Sequence, residues 1–295
     1  MNKEEKNFCF CTFAAGPIYR SLVKNLVSDI EKYAPGTTFI LFTDKPSEFS
    51  NNSHVLGFKH KRQGISFHYE RRFAIAKALS MFNSCMYLDA DVRICAPVSQ
   101  HIVAREWLPG ITARSCTSMT KHFRTLINDS PPPSMVRKFE FTKKMARKLD
   151  LDLEADQVPF INEFLFVVTR DAGREVEFLK QWEKLATYCE LNGIHDAPAF
   201  AMGLAATKVG FPVRHDVMEG LDFFDDRIEA VRIAKGQSDP EAKKVYFEMQ
   251  KKLEYPHRSI PQKIMRKIGK FIDYGYQSTR LKTTSLLKYF DFYYR

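Results

Sequence analysis

The feature that most constrains this chain is a set of short apolar runs spaced by helix-length segments. Residues 37–43 form a continuous apolar stretch, Thr-Thr-Phe-Ile-Leu-Phe-Thr. Strands of that kind are buried on both faces and belong to parallel sheets covered by helices. Residues 8–14 read as an earlier strand, and Gly16-Pro17 opens a helix to about Tyr33, stopped by Pro35-Gly36. After a polar loop through Asn51-Asn52-Ser53, residues 67–83 read as a helix with Phe73, Ala76 and Leu79 inward. A strand at 85–88 follows, then a further short one at 92–94. This strand-helix-strand-helix-strand order predicts an α/β fold with a mostly parallel central sheet, right-handed crossovers, and ligands at the carboxyl edge of the strands.

The rest of the chain is less regular. Residues 110–116 predict a strand, and a basic helix is expected around 136–149 inside an irregular segment, 118–156, that contains Pro131-Pro132-Pro133. That segment reads as an insertion or acceptor-facing region. Residues 159–169 predict one long strand, 171–191 a helix capped by Asp171, and 198–209 a helix ended by Gly210. A short strand is expected from Val213 and a polar helix over 239–253. The expected domains are a body at 1–255 and a tail at 256–295.

Composition excludes several classes. With 44% hydrophobic and 13% aromatic residues, the chain has apolar surface that a disordered polymer lacks. Six Cys, with no CxxC pair and no zinc-ligand spacing, read as buried thiols of a reducing compartment. Lys3 and Lys6 precede a short apolar stretch as a signal peptide's basic region would. Glu4 and Glu5 interrupt that charge, and the stretch runs on into a strand-turn-helix, so a cytosolic location is expected. No apolar run approaches the ~18–20 residues that a span requires.

The net charge of +10 is concentrated. Residues 257–295 hold nine Lys/Arg against Asp273 and Asp291, which is +7 of the total. In that tail Ile260, Ile264, Ile268 and Phe271 recur at helical spacing beside Lys263, Arg266, Lys267 and Lys270, followed by seven Tyr and Phe residues. Such a helix suits an anionic membrane surface. The competing expectation is a surface helix packed on the body by its Ile stripe. No helix-turn-helix, RNP or zinc-finger pattern appears, so nucleic acid is not an expected partner.

Asp89-Ala90-Asp91 stands where an apolar strand reaches the ligand edge. Two carboxylates there can hold Mg²⁺ or Mn²⁺ together with phosphate oxygens. A second such triplet, Asp150-Leu151-Asp152, has no strand before it. Asp196, just before a predicted helix, is open to two readings: a helix N-cap or a site residue.

Met86-Tyr87-Leu88-Asp89-Ala90-Asp91-Val92 resembles the DxD strand of GT-A-fold glycosyltransferases, particularly the glycogenin-like and bacterial lipopolysaccharide galactosyltransferase group. The resemblance runs through residues 8–215 as ordered short motifs. It implies a Rossmann-like GT-A domain and a nucleotide-sugar donor, UDP-linked. The base would lie against Thr12-Phe13-Ala14 and Phe42-Thr43-Asp44. The donor-contacting Arg in Tyr69-Glu70-Arg71-Arg72 would be Arg72 by its distance to Asp89, with Arg71 the alternative. Asp91 would ligate Mn²⁺ or Mg²⁺, while Asp89 would hold ribose and share the metal. Ile161-Asn162-Glu163-Phe164 resembles the family's Asn-x-Gly strand, with Phe164 in place of Gly, so Asn162 and Glu163 would face the donor sugar. His195-Asp196-Ala197-Pro198 resembles its Asp-Gln element. It is also similar to the His-Asp-Glu of blood-group-type transferases, with Ala197 where those carry Glu. The third metal ligand would be His257, six residues before a diphosphate-contacting Lys263, or else His215. The activity implied is a retaining transfer to a glycan or lipid-linked acceptor in surface polysaccharide or lipopolysaccharide synthesis, and the basic tail adds the expectation of a position peripheral to the inner membrane face. The alternatives are a sugar-nucleotide pyrophosphorylase, whose Gly-rich basic loop is missing after the first strand, and a non-catalytic polyanion- or membrane-binding protein.

Overall fold

The structure is a computed structural model that describes residues 7–126, 132–155 and 157–294. Lys3, Glu4, Glu5, Lys6, Pro131 and Arg295, used above, lie outside the described residues. The elements are β1 (Phe8–Ala14), α1 (Pro17–Tyr33), β2 (Phe39–Thr43), β3 (Val55–Lys59), α2 (Arg71–Leu79), β4 (Ser84–Leu88), β5 (Arg93–Ile94), α3 (Gln100–Val103), β6 (Gly110–Ala113), β7 (Cys116–Ser118), α4 (Met119–Leu126) and α5 (Pro133–Lys148). There follow β8 (Pro159–Ile161), β9 (Leu165–Thr169), α6 (Arg174–Leu191), α7 (Pro198–Lys208), β10 (Val213–His215), β11 (Phe223–Phe224), α8 (Asp226–Ala234), α9 (Pro240–Glu254), α10 (Ile260–Leu287) and α11 (Phe290–Tyr294).

Seven strands form one sheet in the order β10-β6-β9-β4-β1-β2-β3. Strands β3, β2, β1 and β4 run parallel, as the apolar runs require. Strand β9 runs antiparallel between β4 and β6, which makes the sheet mixed. The two-residue period of β1 separates its side chains onto two cores. Cys9 and Cys11 pack with Cys85, Tyr87 and the helices α2, α6 and α7. Phe8 and Phe10 face the opposite core with Met86, Leu88 and the Val23-Leu26-Ile30 stripe of α1. All six cysteines are free thiols, four of them buried.

Helix α7 is apolar all round and buried from Pro198 to Ala206. Gly203 allows that burial, because a Cβ there would lie 1.8 Å from the Pro159 carbonyl oxygen. The segment 118–156 contributes α4 and α5, and Phe123, Met145 and Ala146 join the same core as α7.

Several boundaries differ from expectation. Strand β3 lies beyond the polar loop, where alternation with exposed Gly57 and Lys59 had masked it. The single strand expected over 159–169 is two, β8 and β9, broken at 162–164. Asn162 leaves the ladder there, its N–H donating to the Ser115 carbonyl. Helix α6 starts at Arg174 rather than at a cap on Asp171; Gly173, at φ 97°, takes the left-handed cap position that glycine tolerates. The helix expected over 67–83 is α2, preceded by a single 3-10 turn at Phe67–Tyr69.

Candidate active site

A cleft of about 800 Å³ opens at the carboxyl ends of β1 and β4. Its floor is the turn after β4. The Asp89 N–H donates to the Phe164 carbonyl (2.9 Å) and the Val92 N–H returns to the Asp89 carbonyl (3.1 Å), which brings Asp89 and Asp91 to the cleft. The end of β4 is tied to β1 by Thr12, whose hydroxyl donates to the Leu88 carbonyl.

Six carboxylates (Asp89, Asp91, Glu163, Asp196, Asp226 and Glu254) and two guanidiniums (Arg71 and Arg227) reach the cleft. Arg71 is buried and held in place by three contacts. Its Nη1 donates to the Glu163 carbonyl (2.8 Å), its Nε to the His68 carbonyl (3.0 Å), and its Nη2 lies 3.4 Å from Asp89 Oδ1. The pKa of Arg71 is raised, its burial being outweighed by Asp89, Tyr87, Glu163 and Asp91. Arg227 stands on the other side of Asp89, 3.8 Å from Oδ2. It is placed by the start of α8, where Asp225 accepts the backbone N–H groups of Arg227 and Ile228. Such a cap satisfies N–H groups that the helix leaves unpaired. The other oxygen of Asp225, Oδ2, is buried without a hydrogen bond.

Asp91 is pushed up to about 8 by burial and by the charges of Asp89 and Asp225, with Arg227 opposing. Burial likewise raises Asp225 to about 6 and moves Glu163 upward. The floor is therefore a site where negative charge is costly and a cation is favoured. Among the described residues no group of three or more His, Cys, Asp or Glu side chains is gathered to hold a metal. Two carboxylates suit a hard divalent cation that takes its remaining ligands from phosphate oxygens and water. The residues present thus fit a cation shared with a substrate.

The opposite wall is residues 65–68. Two buried carboxylates shape the loop leading to it. Glu70 accepts the N–H groups of Gln63 (3.0 Å) and Gly64 (2.8 Å), and Glu190 accepts that of Ser66 (2.5 Å). A Cβ at Gly64 would sit 2.3 Å from a Glu190 oxygen, so any larger residue there would displace the Glu190 carboxylate. Burial pushes Glu190 up to about 7. Phe67 stacks on Phe13 at 5.8 Å between ring centroids, giving the cleft an aromatic plate.

The expected site residues divide. Phe13, Asp89, Asp91, Glu163 and Asp196 come together in the cleft. Thr12 and Ala14 are buried beneath it, and Asp44 is engaged with Arg20 and the Gly16 N–H, fixing the turn between β1 and α1. Of the two candidate arginines, Arg71 lines the cleft and Arg72 does not. The Arg72 guanidinium turns to the Tyr69 carbonyl (2.5 Å) and the Phe73 ring, and lines a different cavity. One residue along a helix rotates the side chain by about 100°. Asn162 also lies outside the cleft, its side-chain amide donating to the Ser115 hydroxyl (2.9 Å). Asp196 does not cap α7; it pairs with Lys138 at 2.8 Å. His257 and Lys263 are exposed and line no part of the cleft, and His215 ends β10 at a separate cavity with Lys121 and Arg124.

Sequence reasoning missed Arg227, Asp226, Tyr19 and Tyr255, all lining the cleft. For Arg227 a signal existed: Asp225-Asp226-Arg227 after an apolar pair is a helix-start pattern. Tyr19 and Tyr255 carried none, because chain folding alone brings them to the same cleft. No protein-family model matches the chain, and no curated protein matches its sequence.

Proposed function

We propose that the chain is a metal-dependent glycosyltransferase that takes a sugar from a nucleotide diphosphate donor, expected to be UDP-linked. The acceptor would be a glycan or lipid-linked glycan of surface polysaccharide or lipopolysaccharide synthesis. The observation that carries this reading is Asp89 and Asp91 at the carboxyl end of β4, between Arg71 and Arg227. A pyrophosphorylase has less support, since the turn after β1 is short and uncharged at Ala14-Ala15-Gly16-Pro17.

In this reading Phe13 and Phe67 hold the base by stacking, and Asp89 and Asp91 are the residues that would hold Mn²⁺ or Mg²⁺. The cation supplies Lewis-acid neutralisation of the departing diphosphate. Arg71 and Arg227 orient the phosphate oxygens and offset their charge, and preorganised cations of this kind act where charge develops. Glu163, its carboxyl raised by burial, lines the cleft where the donor sugar would lie. Asp196, exposed beside Lys138, faces the acceptor side. Retention of the anomeric centre is the expected outcome, read by anomer-resolved NMR of the product.

The test is a thermal-shift screen of UDP-, GDP- and CMP-sugars with and without Mn²⁺. A donor at about 100 times its Kd stabilises the fold by ~2.7 kcal/mol. One nucleotide class should raise the melting temperature only with Mn²⁺, and Asp91→Ala should abolish that rise. The proposal fails if no donor shifts the parent, or if Asp91→Ala leaves manganese-dependent nucleotide-sugar hydrolysis unchanged.

A further inference from the structure

Every residue from Ser259 to Tyr276, the N-terminal part of α10, is exposed. Contact with the body begins at Asp273 and Tyr274, and burial further on, at Gln277, Leu281 and Ser285. The exposed part is far from polar: Ile260, Ile264, Met265, Ile268, Phe271 and Ile272 are all about half exposed or more. Residues 260–272 also carry Lys263, Arg266, Lys267 and Lys270 and no carboxylate. At about 100° per residue, the six apolar side chains fall within a sector of about 140°, and the four cations within about 100° beside it. Gln277, Leu281 and Ser285 project into the same sector as the cations, so the apolar sector points away from the body.

We propose that this part of α10 is a docking surface for an anionic phospholipid bilayer, lying in the interface plane with its apolar sector in the acyl boundary and its cations among the headgroups. Charge decides the occupant. A second copy of this chain would bring four more cations against these four, whereas anionic lipid complements them. Among the described residues no helix is long and apolar enough to cross a membrane, which leaves surface attachment as the mode this helix can supply. The next turns tie the helix to the cleft. Asp273 pairs with Arg62, the Arg280 guanidinium donates to the Arg62 (2.7 Å) and Gln63 (2.5 Å) carbonyls, and Tyr274 meets the His195 ring edge-on at 5.9 Å. A docked helix therefore carries the loop that leads into the 65–68 wall, and His195 of the cleft, with it. Docking does not rest on the glycosyltransferase reading, because lipid binding is read without any sugar donor.

The experiment is co-sedimentation of the full chain with vesicles of phosphatidylcholine alone and of phosphatidylcholine mixed with phosphatidylglycerol. The chain should pellet with the mixed vesicles, release as salt is raised, and ignore the neutral ones. Replacing Lys263, Arg266, Lys267 or Lys270 by Gln should weaken binding roughly fivefold each. Ile264→Glu with Ile268→Glu should abolish it while leaving the melting temperature unchanged, since neither side chain packs on the body. The proposal is overturned if the parent fails to pellet with anionic vesicles, or if the Glu variant pellets as the parent does. It is also overturned if analytical ultracentrifugation finds a dimer that the Glu variant dissolves, for then a second copy covers the face.

Discussion

Helices α7 and the N-terminal part of α10 are both rich in apolar residues and end in opposite places. Helix α7 is buried along nearly its whole length, whereas residues 259–276 are exposed throughout. The difference lies in side-chain size and charge placement. Helix α7 carries Ala, Gly and single large residues round its circumference, so strand β8 can approach on one side and α5 and α6 on others. Helix α10 confines large residues to one sector and lines the next with cations, which keeps one side in water. Apolar content alone does not decide burial; the pattern round the helix does.

The two helices should differ most at their glycines. Gly203→Ala places a methyl group against a backbone oxygen and should cost about 3 kcal/mol in urea unfolding, as overpacking of a tight core does. Gly269→Ala on α10 meets nothing within 4 Å and should cost nothing, gaining up to ~1 kcal/mol of local helix propensity. Equal effects at the two positions would end the argument.

The next effect is smaller and lies within α10. Leu281→Ala should lose about 2 kcal/mol because that side chain is buried. Ile268→Ala, on the exposed sector, should leave the melting temperature where it is. A large loss at Ile268 would mean that the face packs on something within the chain.

The pH dependence of the cleft wall comes third. Glu190 has an ordinary value of 4.5 and is raised to about 7 in the fold. Between those values the folded state keeps a proton that the unfolded chain has released. Its contribution therefore makes stability fall as pH rises through that window, and the loss is complete above it. Glu190→Gln should flatten this part of the stability profile measured from about pH 4 to about pH 8. A profile as steep as the parent's would show that the raised value has no energetic consequence. The smallest expected effect is at Arg280→Ala, which should speed hydrogen exchange at residues 62–64 with little change in global stability.

Much of the α/β frame was legible from the chain. Strand β1 and helix α1 follow from an apolar run and a Gly-Pro turn, and β4 from a run that ends in two aspartates. The local signals there agree with the tertiary outcome. Strand β3 was not legible, because an edge strand alternates with exposed residues and resembles a loop. The antiparallel sense of β9 was not legible either, since strand direction depends on how the preceding 60 or so residues return to the sheet. In the cleft, the Asp89-Ala90-Asp91 turn stood out by chemistry and position. Arg71 and Arg72 are neighbours of the same type, and only the rotation of α2 separates the cleft residue from the one turned to Phe73 and the Tyr69 carbonyl.

Residue type and short spacing were enough to set the buried strands, the acidic turn at the end of β4, and the concentration of positive charge in residues 257–295. The tertiary structure alone decided that Arg227 meets Asp89 across more than a hundred residues, that His257 and Lys263 stay off the cleft, and that the apolar sector of α10 faces outward. Those outcomes follow from where distant elements pack, and packing is settled by the summed contacts of the whole chain.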